Sequence, residues 1–243
     1  MTPTDELDLT LRRADSDDAA SIAPLYTAAR LAAIPQMPPA VHTPAEDLAW
    51  FTAQLARPDR EVWVAERSGE ILGYALIDAV WLDHLFIRAD SKGQGVGTVL
   101  LDLVKSLRPD GFALWVFESN AGARRFYARH GLVELERTDG SGNEERAPDI
   151  RMAWPGADPQ AFFGRMVEEV DEQLGDLLAR RVALTRAELA YDGGADAPHP
   201  REREIAESIA ARVPELGPER LARIVRVVVT ESVDAARSDP GTC

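Results

Sequence analysis

The 243-residue chain is 45% hydrophobic and 28% charged, with a formal net charge of −14. That length and composition suit one large or two modest globular domains rather than a disordered chain, and no apolar run approaches the roughly 20 residues that span a bilayer. The acidity argues against nucleic acid as a partner, and the lone Cys243 excludes an intrachain disulfide and a cysteine-rich metal site.

Met1–Leu9 carries Asp5, Glu6 and Asp8 with no basic flank, unlike a signal peptide, so a soluble cytoplasmic protein is expected. Leu7–Arg12 reads as a strand. Ser16–Leu31 reads as a helix capped by Ser16, with acids in its first turn. Thr43 followed by Glu46 makes a capping box for a second helix running to Leu55. Glu61–Ala65 and Ile71–Val80 are strands joined through Ser68-Gly69, and Trp81–Ile87 continues as another. The glycine-rich turn Gly93–Gly97 opens a helix over Thr98–Ser106. A strand Ala113–Phe117, a helix Ala121–Arg129 and closing strands Val133–Arg137 and Asp149–Trp154 follow.

The pattern changes at Trp154-Pro155-Gly156-Ala157-Asp158-Pro159, where two prolines and a glycine mark a linker. Beyond it only helical periodicity remains. The expected fold is a mixed-sheet α/β domain over about 1–155 followed by an all-helical, three-helix domain over 156–243. Phe162, Met166, Val170, Leu174, Leu177, Leu178, Val182 and Leu184 form a stripe at helical spacing. A helix of about 30 residues would be roughly 45 Å long, longer than an 80-residue globule is wide. The other two helices, Arg201–Val213 and Pro218–Arg237, are shorter, so a homodimer that pairs two long helices solves the burial problem.

The sharpest feature is the run from Leu85 to Leu101, with Lys92-Gly93-Gln94-Gly95-Val96-Gly97 between a strand and an amphipathic helix. Glycines let a backbone approach a ligand closely, and amides at a helix start hold phosphate oxygens. Taken alone, such a stretch describes a flexible turn as well as a phosphate site. No Gly-Lys-Ser/Thr ends it as in a Walker loop, and its place after several strands does not fit a dinucleotide fingerprint. Lys92 and Lys105 are the only lysines, the rest of the 27 basic residues being arginine, so anion contacts elsewhere fall to guanidinium groups.

Some twenty residues on come Glu118-Ser119-Asn120 and then Phe126-Tyr127 and Gly131. The two stretches at this separation resemble the GNAT acetyltransferase superfamily over roughly 7–154, with Lys92 in the first position of the glycine motif. The resemblance implies an acetyl-CoA-dependent N-acetyltransferase acting on a primary amine of a small molecule. The coenzyme would lie between the strands Trp81–Ile87 and Ala113–Phe117, with its diphosphate on the amides of Gln94, Gly95, Gly97 and Thr98 beside Lys92 and Gly93. The pantetheine arm would run along Phe86 and Ile87 as an added strand, near Asn120. Tyr127 takes the place of the general acid; read from the residues alone it also suits a core aromatic. For the base, Asp83 and then Glu118 are the candidates. Asp83 and His84 are adjacent on one strand and point to opposite faces, and a water route needs no base at all.

The second half carries Arg180, Arg181 and Arg186 on its first helix and Arg201-Glu202-Arg203-Glu204 at the start of its second. Solvated faces with paired charges explain such residues. The pattern over about 162–237 also resembles the all-helical AroQ-type chorismate mutases. That resemblance implies a site for chorismate or a related dicarboxylate, with Arg181 and Arg201 on the carboxylates, Glu202 on the hydroxyl and Ser232 nearby. Three positions of the family's pattern depart: Gly164, Asp192 and Ala236 stand where arginine, lysine and glutamine are expected. The helical part is thus either a second catalytic domain, an isomerase or a relative of one, or a non-catalytic assembly module.

Overall fold

The computed structural model describes residues 8–191, 201–210 and 213–238. The chain divides into two compact units, Met1–Phe163 and Gly164–Cys243.

In the first unit β1 (Thr10–Arg13) leads through a 3-10 turn into α1 (Ala19–Leu31), followed by α2 (Pro44–Leu55). Then come β2 (Arg60–Arg67), β3 (Glu70–Asp78), β4 (Trp81–Ile87), α3 (Val96–Leu107), β5 (Phe112–Phe117), α4 (Ala121–Arg129), β6 (Val133–Thr138) and β7 (Asp149–Trp154). The seven strands form one sheet in the order β1-β2-β3-β4-β5-β7-β6. Every neighbouring pair is antiparallel except β4 and β5. The capping box at Thr43 forms as expected, with the Thr43 amide donating to Glu46 at 2.8 Å. At the first helix the expected Ser16 cap does not form. Asp15 accepts from the Asp17 amide at 2.9 Å and Asp18 returns a carboxylate to the Asp15 amide at 2.8 Å, a charged pair that suits a helix N-terminus better than a hydroxyl.

Alternation along β3 builds two cores. Ala75 and Ile77 face α3 with Leu100, Leu101 and Val104, while Tyr74 and Leu76 face α1 and α2 with Ile22 and Phe51. At the start of β5, Gly111 takes a φ of +101°, and any β-carbon there would stand 2.4 Å from the Phe162 ring. That close approach seats the first turn of α5 (Pro159–Tyr191) in the first unit.

In the second unit α6 (Arg201–Ala210) packs on α7 (Gly217–Arg237) through Ala206, Leu221, Val225 and Val229. The 33 residues of α5 span roughly 50 Å, against roughly 15 Å and 32 Å for α6 and α7. Val167, Val170, Leu174, Leu177 and Leu184 of α5 all stay exposed, at the three-and-four spacing of a coiled-coil seam.

Candidate active site

The parallel neighbours β4 and β5 meet only at their beginnings. Trp81 pairs with Ala113, and the Ala113 amide donates to Val80 O at 2.9 Å. Past that point β5 keeps its full ladder to β7 and β4 its ladder to β3, but no ladder joins Leu82–Ile87 to Leu114–Phe117. The β4 edge beyond Trp81 therefore offers main-chain groups to a ligand lying as an extra strand. A bulge re-aims this stretch: Leu82 stands opposite Ile77 and His84 opposite Leu76, leaving Asp83 as the additional residue.

β4 runs into a 3-10 turn at Ala89–Ser91 and then the glycine loop. Gly93 and Gly95 both adopt positive φ, 79° and 85°, a region open to glycine at no steric cost. With Gly95 left-handed at the cap position, α3 begins at Val96, two residues before the expected Thr98. The first helical bond is Val99 N–H to Gly95 O at 3.0 Å, and no side chain caps the helix. The amides of Val96, Gly97 and Thr98 thus find no acceptor among the described residues and converge at the positive end of the helix dipole. Gln94 differs from expectation, since its amide is spent on Ser91 O at 3.4 Å. Its side chain folds back onto Asp90 O at 2.8 Å and accepts from Arg67 at 3.3 Å, which ties the loop to the β2–β3 turn. A cavity of about 480 Å3 lies there, lined by Arg67, Arg88, Ser91 and Gln94 among others. Nothing in the spacing of Arg67 and Gln94 announces this clasp, because only the β3–β4 pairing brings the two segments together. Lys92 stays exposed beside the loop.

Across the wedge, α4 is capped by Asn120, whose Oδ1 accepts from the Ala123 amide at 3.1 Å. Its side-chain amide NH2 alone is left for a ligand. Phe126 approaches α3 where Gly97 has no side chain; a β-carbon there would lie 3.5 Å from the Phe126 ring. Tyr127 is 8% exposed, and burial holds its phenol above its ordinary pKa. Its hydroxyl makes no hydrogen bond to the described residues. On the loop side of α4, His130 Nδ1 donates to Phe126 O at 2.8 Å, so its Nε2 accepts from the Thr98 hydroxyl at 3.3 Å.

Both base candidates are engaged. Asp83 is ion-paired with Arg60, which also holds Asp78 at 3.2 Å, and Glu118 binds Arg137 at 2.7 Å on the surface. Phe86 and Ile87 lie on the unpaired part of β4, as expected. His84 faces α1 and α2, and burial together with Arg30 and Arg60 lowers its pKa to about 3. Among the described residues no cluster of histidine, cysteine or carboxylate side chains could hold a metal ion.

A wedge between parallel strands is bounded by uncapped amides at one end, which suit an anion such as a diphosphate, and by a buried phenol across it. The profile of the Acetyltransferase (GNAT) family matches residues 26–132. An uncharacterized N-acetyltransferase of Archaeoglobus fulgidus is 30% identical over 150 residues, which cover 55% of this chain and 99% of that protein. The chain belongs to the GNAT acetyltransferase family. It is therefore an acetyltransferase that uses acetyl-CoA. The peptidyl-lysine N-acetyltransferase YjaB of Salmonella typhimurium is 30% identical over 99 residues, 40% of this chain and 68% of that one. In fold, the acetyltransferase is similar to apo YjaB of Escherichia coli (TM-score 0.51, 24% identity, covering 61% and 99% of the two chains). A GCN5-related N-acetyltransferase of Rhodopseudomonas palustris is equally similar (TM-score 0.51, 24%, covering 60% and 94%).

Ser232 is buried, its hydroxyl donating to Val228 O at 2.5 Å, and Arg181 has its Nη1 enclosed without a partner among the described residues. Arg201 and Glu202 open α6, but their side chains lie outside the described residues, as does Asp192. Ala236 is buried on α7.

Proposed function

We propose that the first unit, with its catalytic domain over about 1–155, transfers acetyl from acetyl-CoA to a primary amine of a small molecule. The observation that carries this reading is the unpaired β4 edge ending in three uncapped amides. The amides of Val96, Gly97 and Thr98 hold the diphosphate, and the main chain of Phe86 and Ile87 aligns the pantetheine arm so that the thioester lies near the bulge. The amine nitrogen bonds to the acetyl carbon as the carbon–sulfur bond breaks. Tyr127 gives its proton to the departing sulfur. The proton lost by the amine leaves through water, because Asp83 and Glu118 both spend their carboxylates on arginines. A panel of amines, including amino acids, aromatic amines and a lysine peptide, incubated with acetyl-CoA and read by mass tests the reading. Acetylation of small amines is expected, and a product confined to the lysine peptide overturns it. The composition and the lone cysteine suit the cytoplasm.

The helical unit, over about 156–243, pairs with a second copy through the exposed seam of α5. Leu174→Glu combined with Leu177→Glu places four carboxylates at the centre of that seam in the pair. The full-length variant is expected to sediment as a monomer while retaining acetyl transfer, and wild-type protein that is already monomeric at micromolar concentration counts against the pairing. A second reading has this unit bind chorismate or a related dicarboxylate through Arg181, Arg201, Glu202 and Ser232. The enclosed Nη1 of Arg181, without an acceptor among the described residues, favours it, since a buried guanidinium nitrogen wants an acceptor. Loss of chorismate absorbance on adding the full chain, abolished in Arg181→Ala, is its test; inactivity leaves an assembly module.

A further inference from the structure

His84 sits on the part of β4 that no longer pairs with β5, one residue past the bulge. Its ring is stacked between Tyr26, at 5.4 Å and 9°, and Trp50, at 5.0 Å and 16°, with Phe51 and Phe86 edge-on. Its two nitrogens are not equivalent. Nδ1 lies 2.9 Å from the Tyr74 hydroxyl. Tyr74 is fully buried, which holds its phenol well above the ordinary value, so the hydroxyl keeps its proton. Among the described residues that proton has one acceptor, Nδ1 of His84. A buried hydroxyl with an acceptor in reach uses it, so Nδ1 accepts and the ring hydrogen sits on Nε2. Nε2 has no hydrogen-bond partner among the described residues, the residue is half-buried, and Trp50, stacked on the ring, is 40% exposed.

We propose that His84 is a specificity-determining hydrogen-bond donor: Tyr74 fixes its tautomer, and its Nε2–H receives an oxygen (carbonyl, carboxylate or hydroxyl) that the acyl acceptor carries close to its amine. The inference rests on the small-amine reading of this same cleft. The groups around the ring agree with a neutral donor. Burial, together with the guanidinium groups of Arg30 and Arg60, disfavours an imidazolium, the Tyr26 hydroxyl accepts from Arg30 at 2.8 Å, and the neighbouring Asp83 is turned to Arg60. A neutral ring does not repel an ammonium group arriving at the cleft. With its lone pair already filled by Tyr74, it does not take the amine's proton either.

Two measurements on the full chain test this. In long-range proton–nitrogen spectra of protein carrying isotope-labelled histidine, His84 is expected to show hydrogen on Nε2 and no titration through the neutral range. His130, with Nδ1 donating to Phe126 O, shows the opposite tautomer and serves as the internal contrast. Tyr74→Phe releases the lock and mixes the tautomers at His84. Hydrogen on Nδ1 of His84 in the wild type, or a titration at the ordinary midpoint, overturns the proposal. The second measurement compares acetyl transfer to leucinamide with transfer to isoamylamine, which lacks the carbonyl. In His84→Asn the short amide can still accept from Tyr74 but no longer reaches the acceptor. Its leucinamide-to-isoamylamine rate ratio is expected to fall about tenfold, with coenzyme affinity and melting temperature unchanged. His84→Gln, whose amide reaches the Nε2 position, restores the ratio. Amines acetylated with no dependence on residue 84 overturn the donor role alone, whereas a protein that acetylates no small amine overturns the small-amine reading and the donor role together.

Discussion

Gly95→Glu is expected to weaken acetyl-CoA binding by at least about 30-fold while leaving the protein folded. Gly95 holds a φ of 85° at the cap of α3, and a residue with a β-carbon pays about 1–2 kcal/mol to stay in the left-handed region. Glutamate adds a carboxylate beside the amides proposed to receive the diphosphate, where two like charges about 4 Å apart repel by roughly 1–4 kcal/mol depending on exposure. Together these come to about 2–6 kcal/mol and weaken affinity by at least about 30-fold, since each 1.4 kcal/mol is tenfold. Gly95→Ala carries the strain without the charge and should lose only about tenfold. Calorimetric titration with acetyl-CoA, alongside melting curves, checks both variants. Wild-type affinity in folded Gly95→Glu would remove the loop from the site.

Tyr127→Phe is expected to lower kcat on the order of 100- to 1,000-fold, the usual contribution of a positioned acid, with acetyl-CoA affinity within about twofold of wild type. The phenyl ring keeps the packing against Phe126, and the lost hydroxyl has no partner to strand among the described residues, so the melting temperature should hardly move. Burial raises the phenol's pKa, so Tyr127 stays protonated, and ready to donate, up to and beyond pH 10. The kcat profile of the wild type should therefore show no loss of this acid below that pH. For stability the sign is equally definite. The folded state holds the proton more tightly than the unfolded chain, so stability falls only as pH rises above about 10. Unchanged kcat in Tyr127→Phe would make the residue a core aromatic and nothing more.

The clearest elements in the sequence were those governed by neighbours a few residues apart. The capping box at Thr43, the strand Trp81–Ile87, the helix Ala121–Arg129 and the strand Asp149–Trp154 all stand where local periodicity and capping chemistry put them. The helix start after Gly95 was two residues off, because the left-handed glycine, and not the first apolar residue, ends the loop. The acidic cap at Asp15 displaced Ser16 for a similar local reason, a second carboxylate three residues on.

What the linear chain by itself determined is which stretches bend, cap and leave backbone amides uncapped at a helix start, because those properties belong to the backbone over one or two turns. The tertiary structure alone decided what those stretches face. The bulge that singles out Asp83, the parting of β4 from β5, and the arginines that occupy Asp83 and Glu118 all depend on strand pairing between distant segments. So does the bond from Tyr74 to His84, ten residues apart and on opposite strands of a hairpin. A hydrogen bond's direction follows from which groups are buried together, and burial is a property of the assembled sheet and helices rather than of any residue's neighbours in the chain.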